Sequence, residues 1–308
     1  MPDTVTVTAP AATLWTGPTA PRDLDEPAVR DHPDLTAWTE AMSDAPSRAG
    51  LHGRTLTQVL LGDPVQVLDE QGDWLRVLAP GQPCSIEPAG YPGWMRRSHA
   101  GDQPAVPPAG SGWTMVRSRT ARCDLADGDR VMLSFGTLLP VEAIGASRIA
   151  VSLPDGRQGA LRRSDVLHGE EHPHAPGSGP LQAAQTFLGL RYLWGGTSGW
   201  GVDCSGLVHL AFRLYGVVVP RDAKDQADSP SLEPVPLDDV RPGDLYFFAE
   251  PDRPIHHVGF ASRAVEADGT RWMLHAPGPA DFVEDAPMNE DRLRTLVSAG
   301  RFEVRAAG

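Results

Sequence analysis

The sequence predicts an α+β protein in which two small β domains precede a domain that combines a helix with an antiparallel sheet. Three observations support this. In the last third of the chain, an apolar helical pattern begins at Cys204, and strand-like segments alternating with turns follow it. Ahead of that region, short strand patterns joined by polar turns occur twice, near residues 55–98 and 127–167. Two segments rich in proline and glycine, 101–112 and 169–180, separate the three regions.

Length and charge limit the possible functions. A chain of 308 residues is long enough for two or three domains. The formal net charge of −13 argues against nucleic acid or an anionic membrane as a partner. No apolar run approaches the ~18 residues of a membrane span, and the N-terminus lacks the basic and apolar parts of a signal peptide. We therefore expect a cytoplasmic protein and leave its oligomeric state open.

The first domain is predicted over residues 1–100. Residues 65–78 contain two short strands joined by a polar turn with Gly72, which predicts a β-hairpin. A segment of about residues 17–53, rich in proline, aspartate and arginine, is expected to be a helical insertion. Within it, residues 33–42 favour a helix for which Asp31 is a plausible cap.

The second domain is predicted over residues 101–168, of which 101–112 form a linker. Its order of elements repeats that of the first domain: a strand, a hairpin, and a small strand before a polar end. The repeat is one of pattern and not of residue identity. We interpret it as a duplicated small barrel.

The third domain is predicted over residues 169–308, with a linker at 169–180. His168, His172 and His174 lie at or within this linker, where a metal site is conceivable. Because no cysteine or acidic partner stands at ligand spacing, we favour a solvated linker. We accordingly expect neither a metal nor a cofactor.

Cys204 stands where a glycine-rich loop gives way to the helical pattern. Unpaired N–H groups and the helix dipole favour a thiolate at a helix start, and the thiolate is the reactive form. The surrounding glycines suggest that a substrate approaches the backbone closely. The alternative is a buried, inert cysteine. Cys84 and Cys123 form neither a disulfide framework nor a metal motif with it, and we expect them to be reduced and structural.

A nucleophilic cysteine needs a base, and three histidines of the predicted strands are candidates. Strand alternation sends His256 and His257 to opposite faces, so only one of them can meet Cys204. His257 shares its face with the small residues Gly259 and Ala261, which leave room for a ligand. His275 on the next strand can fix the tautomer of His257 through its far ring nitrogen. The alternative is that these histidines have only structural roles.

These residues lie within motifs that resemble the NlpC-type cysteine peptidases, papain-like bacterial enzymes that cut murein peptides. The resemblance covers about residues 180–308. The matching motifs are Y-L-W-G-G-T-S-x-x-G-V-D-C-S-G, P-R-D-x-x-x-Q, P-G-D-L-Y-F-F, H-V-G-F and L-H-A-P. With two SH3-like domains in front, the whole chain resembles the γ-D-glutamyl-L-diamino acid endopeptidases that recycle murein peptides. In those enzymes the first SH3-like domain carries a helical insertion and a Y-P-G-W segment, here residues 91–94.

The resemblance implies a catalytic set. Cys204 would be the nucleophile, His257 the general acid and base, and His275 the orienting third member. The implied reaction is hydrolysis of the γ-D-glutamyl–diamino acid bond through a thioester, with the backbone N–H of Cys204 as an oxyanion donor. The implied substrates are L-Ala-γ-D-Glu-diaminopimelate or its lysine form, with a free N-terminal L-Ala.

The resemblance also implies substrate-binding residues. Asp203 would be the counter-ion of the substrate ammonium, or alternatively the helix N-cap. Tyr91 would close the subsite of the N-terminal residue, and Asp63 would face the same ammonium; for both, a purely structural role is the alternative. The other residues implied to form this pocket are Tyr192, Trp194 and Ser205.

Two features of the sequence differ from what the subfamily and its substrate lead us to expect, and they leave other functions open. Ala223 stands where the subfamily often has serine, and the acidic net charge suits a polyanionic substrate poorly. Arg221 is a candidate for offsetting the substrate carboxylates. Besides the peptidase, we consider a wall- or protein-docking module based on the SH3-like domains, and an acyltransferase or amidase that uses the same cysteine and histidine.

Overall fold

The computed structural model describes residues 3–101, 112–169 and 179–304, which we call the first, second and third units. Its strands form two seven-stranded sheets, a two-stranded ribbon and a six-stranded sheet. The first two sheets belong to the first and second units, and the helix that starts at Cys204 precedes the last sheet. The predicted α+β class, with two β-rich units ahead of a helix and sheet, is confirmed. The domain boundaries stay predictions, since most of both predicted linkers lies outside the described residues.

The first sheet has the strand order β3-β2-β6-β5-β4-β1-β7. The predicted hairpin is confirmed, because Gln71 pairs with Trp74 around a two-residue loop that contains Gly72 at a φ of 56°. The strands are β1 (Thr4–Val7), β2 (Ala11–Trp15), β3 (Thr55–Leu60), β4 (Pro64–Gln71), β5 (Trp74–Ala79), β6 (Tyr91–Arg96) and β7 (Ala100–Gly101).

Short helices occupy the predicted insertion between β2 and β3. The second of them begins at Leu35, because the carboxylate of Asp34 accepts a hydrogen bond from the N–H of Ala37 at 2.9 Å. The prediction that Asp31 caps this helix is therefore wrong. Asp31 is exposed, and its Oδ1 lies 3.6 Å from Nη2 of Arg96. The helices are α1 (Glu26–Val29), α2 (Leu35–Ala41) and α3 (Ala45–Ala49).

The second sheet has the order β10-β9-β13-β12-β11-β8-β14. Each strand holds the place of the first-sheet strand that is seven numbers lower, so the two sheets share one topology. This confirms the predicted duplication. The strands are β8 (Trp113–Val116), β9 (Thr120–Leu125), β10 (Arg130–Ser134), β11 (Leu138–Ile144), β12 (Arg148–Ser152), β13 (Gln158–Arg162) and β14 (Val166–Gly169).

The third unit packs its helices on an antiparallel sheet of order β17-β22-β18-β19-β20-β21. Strands β18, β19 and β20 are neighbours, which brings the predicted histidine strands side by side. Its helices are α4 (Pro180–Gln185), α5 (Cys204–Arg213), α6 (Ala223–Ala227) and α7 (Glu290–Thr295). Its strands are β15 (Thr197–Ser198), β16 (Gly201–Val202), β17 (Leu232–Val235), β18 (Leu245–Phe248), β19 (His257–Ala261), β20 (Trp272–His275), β21 (Glu284–Pro287) and β22 (Leu296–Phe302).

Helix α5 is the centre of the molecule. Every residue from Cys204 to Phe212 is buried, including the polar side chains of Ser205 and His209. The ring of Phe212 lies 6.0 Å from that of Phe260 on β19. One continuous core cluster contains residues of all three units, among them Trp15, Phe135 and Phe212. The packing thus holds the first and second units against the third.

No helix in the described part of the chain is long and apolar enough to cross a membrane.

Candidate active site

Cys204 is the first residue of α5, as the sequence predicts. Its thiol lies against the backbone N–H of Val258, the residue after His257, so the start of α5 meets the start of β19. Burial, with a further contribution from the charge of Asp203, raises the pKa of Cys204 to about 12. The helix start therefore does not produce a thiolate by itself, because loss of solvation outweighs the helix dipole. A base has to remove the proton.

The two predicted histidines lie together on β19 and β20, near the end of β19 that meets Cys204 through Val258. Nε2 of His257 is 2.8 Å from Nδ1 of His275, and both side chains are buried. His256 is exposed, so the expected alternation of the strand is confirmed. The far nitrogen of His275, Nε2, lies 3.4 Å from Oε1 of Glu284 on β21. No sequence pattern indicates Glu284, because only the pairing of β20 with β21 places it opposite His275.

Both histidines are held neutral. Burial, together with the nearby charge of Arg292, lowers the pKa of His275 to about 3. The same two causes hold the pKa of His257 well below its usual value. A neutral imidazole carries a lone pair, so His257 can accept a proton over the whole neutral range.

Asp203 caps α5, which was the alternative role for it. Its Oδ1 accepts a hydrogen bond from the N–H of Gly206 at 2.7 Å, and its Oδ2 accepts one from Gly195 at 3.0 Å. The guanidinium of Arg221 binds both oxygens, at 3.0 and 2.7 Å. Because this cation balances the carboxylate, the expectation that Asp203 is the counter-ion of a substrate ammonium is corrected. Arg221 is likewise not free to offset substrate carboxylates.

Arg221 is fixed by residues far away in the sequence. The side chain is 1% exposed and donates to Oγ of Ser205 at 3.0 Å and to Oγ1 of Thr57 at 2.8 Å. Its backbone N–H donates to the carbonyl of Pro83 at 2.9 Å. Thr57 and Pro83 belong to the first unit, so the first unit helps to build this site.

Tyr91 of β6 also reaches the third unit. Its hydroxyl donates to Oδ2 of Asp222 at 2.9 Å, at the start of α6. Burial raises the pKa of Asp222, while the nearby Arg221 opposes that effect. One arginine thus faces two carboxylates, Asp203 and Asp222, and this group carries one excess negative charge when both acids are ionised. Asp222 belongs to the P-R-D-x-x-x-Q motif, but the motif alone does not indicate a role for it.

Tyr192 lies in the same pocket. It is buried, and its pKa is raised by that burial and by the nearby charges of Asp203 and Cys204. The indole of Trp194, by contrast, packs against the ring of His52 at 4.4 Å. A pocket-lining role for Trp194 stays a prediction.

The glycines near Cys204 serve the packing of the loop onto the helix. A Cβ atom on Gly206 would stand 2.1 Å from the carbonyl oxygen of Gly196. At this position the close approach is therefore between two backbone segments, and not between backbone and substrate as the sequence suggested.

Comparison with known proteins agrees with this geometry. Residues 189–299 match the NlpC/P60 family. A γ-D-glutamyl-L-lysine dipeptidyl-peptidase of Bacillus subtilis (strain 168) is 36% identical over 92% of this chain and 94% of its own length. The chain belongs to the NlpC/P60 family. It is a cysteine peptidase that acts on peptidoglycan peptides.

Two further comparisons cover nearly the whole chain. The protein of the same name from Bacillus cereus (strain ATCC 10987 / NRS 248) is 32% identical over 91% of this chain and 84% of its own length. The crystal structure of an NlpC/P60 family protein from Bacillus cereus ATCC 10987 superposes with a TM-score of 0.87 at 30% identity. The superposition covers 97% of this chain and 99% of the Bacillus cereus chain, so the two proteins share the arrangement of all three units.

Within this NlpC/P60 peptidase, Asp63 does not reach the site. Its carboxylate pairs with Arg213, in the last turn of α5. At 1.5 Å per residue, that end of the helix lies about 14 Å from Cys204. The expected role of Asp63 at the substrate ammonium is therefore wrong, because the acid already neutralises an arginine at the opposite end of the helix.

The remaining sequence predictions concern metals and thiols. His172 and His174 lie outside the described residues, and His168 is exposed. Among the described residues, no group of three or more His, Cys, Asp or Glu side chains could hold a metal ion. Cys84 and Cys123 are free thiols, and burial raises the pKa of Cys123 to about 11.

Proposed function

We propose that this enzyme hydrolyses the γ-D-glutamyl–diamino acid bond of L-Ala-γ-D-Glu-diaminopimelate or its lysine form, when the N-terminal L-Ala is free. The observation that carries the proposal is the series of contacts from the exposed Glu284 through the buried His275 to the buried His257, whose neighbour Val258 lies against the thiol of Cys204. The similarity to a γ-D-glutamyl-L-lysine dipeptidyl-peptidase over nearly the full length supports the choice of substrate.

The contacts assign the protons of this chain. The carboxylate of Glu284, 3.4 Å from Nε2 of His275, favours the tautomer of His275 with its proton on Nε2, in which Nδ1 is an acceptor. Nε2–H of His257 donates to that nitrogen at 2.8 Å, which leaves Nδ1 of His257 with a free lone pair. Nδ1 of His257 is therefore the atom that takes the thiol proton. Because the pKa of the thiol is about 12, the proton leaves as the sulfur attacks.

The reaction then follows in two steps. The sulfur of Cys204 bonds to the γ-carbonyl carbon, with the backbone N–H of Cys204 as one donor to the oxyanion. His257, now an imidazolium, gives its proton to the amine of the diamino acid as the C–N bond breaks and a thioester remains. Water attacks the thioester, passing a proton to His257, and that proton returns to the sulfur as the acid product departs.

We assign recognition of the free amine to Asp222 and Tyr91. The group of Asp203, Arg221 and Asp222 has one excess negative charge, which an ammonium would balance in a partly buried site. Tyr91 holds the carboxylate of Asp222 in place. Because the first unit covers this side of the site, short soluble peptides fit it better than intact wall, which supports a role in recycling.

Mass spectrometry of the products formed from L-Ala-γ-D-Glu-L-Lys, its diaminopimelate counterpart and N-acetylated versions tests the proposal. We expect L-Ala-D-Glu and the free diamino acid from the first two, and little product from the acetylated ones. Purified sacculi are the matched control for the recycling role and should be cut poorly. Equal cleavage of acetylated peptide would remove the amine site, and retention on sacculi without cleavage of any tripeptide would favour a docking module.

A further inference from the structure

Arg292 is a cation near the thiol that the mechanism above does not use. It lies on α7, is half-buried, and donates from Nη2 to the carbonyl of Pro277 at 3.2 Å. Its guanidinium carbon stands 5.7 Å from the ring centre of Phe248. Within the described residues it forms no ion pair, whereas Arg294 on the same helix pairs with Asp291 at 3.0 Å. Arg292 is thus partly removed from water, and the carboxylates that act on it, Asp281 and Glu284, do so from beyond ion-pair distance.

Its neighbours place Arg292 on the histidine side of the thiol. The ring of Phe248 lies 5.5 Å from the ring of His257, and Pro277 follows His275 by two residues. The charge of Arg292 lowers the pKa of both histidines, and the charge of a Cys204 thiolate would act on Arg292 in turn. Apart from Cys204 on α5, these residues lie on β18, β19, β20 and α7 or, like Pro277, directly after β20. Asp222 and Tyr91, by contrast, lie at the start of α6 and in the first unit.

The proposed cleavage reaction indicates which part of the substrate lies near Arg292. His257 must protonate the leaving nitrogen, so the diamino acid departs on the side of His257. The α-carboxylate of that amino acid is carried by the carbon bonded to the same nitrogen. A guanidinium within reach of His257 is therefore placed to bind a carboxylate, and planar, charge-assisted pairs of this kind are strong.

We infer that Arg292 binds the free α-carboxylate of the diamino acid, so that the enzyme selects peptides that end at this residue. The inference rests on the proposed function and specifies its leaving-group side. Peptides in which that carboxylate is amidated or extended by another residue lose the contact and leave the guanidinium without an anion. A purely structural Arg292, which only covers Phe248, would affect all substrates equally.

The direct test compares L-Ala-γ-D-Glu-L-Lys with its C-terminal amide. We expect kcat/KM of the wild type to be about 10- to 100-fold higher for the acid, the range of a charged hydrogen bond. Arg292→Gln should remove most of this preference and Arg292→Lys should keep part of it. The matched control is Arg294→Gln, on the exposed side of the same helix, which should behave as wild type. Equal cleavage of acid and amide by the wild type overturns the inference and leaves the proposed function standing.

A second measurement does not depend on peptide cleavage. The rate of alkylation of Cys204, followed by mass spectrometry of its peptide, is compared for anionic iodoacetate and neutral iodoacetamide. The ratio of the two rates should fall about tenfold in Arg292→Gln and stay unchanged in Arg294→Gln. If the ratio falls but no γ-D-glutamyl peptide is cut by the wild type, the anion site stands and the proposed function fails. An unchanged ratio in correctly folded Arg292→Gln overturns the anion site.

Discussion

The first and second sheets share one strand order, yet among the described residues only the first sheet contacts Arg221 and Asp222 of the proposed substrate site. The connection between β5 and β6 spans residues 80–90, whereas the corresponding one in the second sheet, between β12 and β13, spans residues 153–157. The longer connection carries Pro83, which binds the backbone of Arg221, and leads into Tyr91. The extended connection and the strand that follows it therefore act together with Thr57 of β3 to bring the first sheet to Arg221 and Asp222.

The second sheet contacts the third unit as a support. Oγ of Ser134 accepts a hydrogen bond from the N–H of Gly199 at 2.9 Å, in the loop before the nucleophile. The carbonyl of Gly136 accepts one from Arg213 at the far end of α5. Phe135 packs on Phe187 with ring centres 5.0 Å apart. These contacts hold the back of α5 and its loop, and none of them involves the proposed catalytic residues.

The largest expected effect is that of Cys204→Ala, which provides the inactive reference for all the other variants. Cys204→Ala removes the proposed nucleophile, and we expect complete loss of hydrolysis with an unchanged fold, since the substitution deletes only one small buried atom. Product formation by mass spectrometry and circular dichroism check the two parts. Turnover that persists in this variant would refute the assignment of Cys204.

The second-largest expected effect is a loss of stability at acidic pH, which should differ between the first and second sheets. Burial lowers the pKa of His99 and His209 to about 4, as it lowers those of His257 and His275. These groups stay neutral in the folded protein, while the unfolded chain binds protons below its usual histidine pKa of about 6.5. Stability is therefore fully present above that pH and falls as the pH drops toward the folded values.

The buried histidines lie in the first and third units, whereas His168 of the second unit is exposed. Hydrogen-exchange protection factors at pH 7 and pH 5 should fall in the first and third units and change least in the core strands of the second. An equal loss in the second sheet would contradict this difference between the two.

Asp222→Asn tests the charge that the first sheet helps to position. The change leaves the hydrogen-bonding shape and removes the excess negative charge, so kcat/KM for peptides with a free amine should fall about 10- to 100-fold. Activity on the N-acetylated peptide should stay at its low level. A similar fall for both substrates would indicate that Asp222 acts on the fold and not on the ammonium.

The smallest effect compares one hydroxyl from each sheet. Tyr91→Phe should lower kcat/KM about 2- to 10-fold with little change in stability, since it loosens Asp222. Ser134→Ala should lower the free energy of unfolding by about 1 kcal/mol and leave kcat/KM unchanged. Urea unfolding and steady-state kinetics on both variants measure this. Comparable losses of activity in the two would erase the distinction between a substrate-facing and a supporting sheet.

Local sequence patterns determined much of this protein. The apolar run after Cys204 predicted α5, strand alternation separated His257 from His256, and the repeated hairpin pattern predicted two related sheets. The family resemblance added Tyr91, whose hydroxyl contacts Asp222 at the start of α6. Each of these predictions from a pattern uses the spacing of residues that are close together in the sequence. Over such short distances, the geometry of a helix or strand alone determines which side chains share a face.

Only the tertiary structure decided the electrostatics. Asp203 was expected to be a free counter-ion, but Arg221 neutralises it from 18 positions along the chain, and we propose Asp222 as the acid that faces the substrate ammonium instead. Asp63 was expected at the substrate, but it pairs with Arg213, 150 positions away. Glu284 and Arg292 reach the histidines only through strand pairing and the packing of α7. Charge balance and loss of solvation depend on which distant groups become neighbours on folding, and the spacing of residues along a chain does not contain that information.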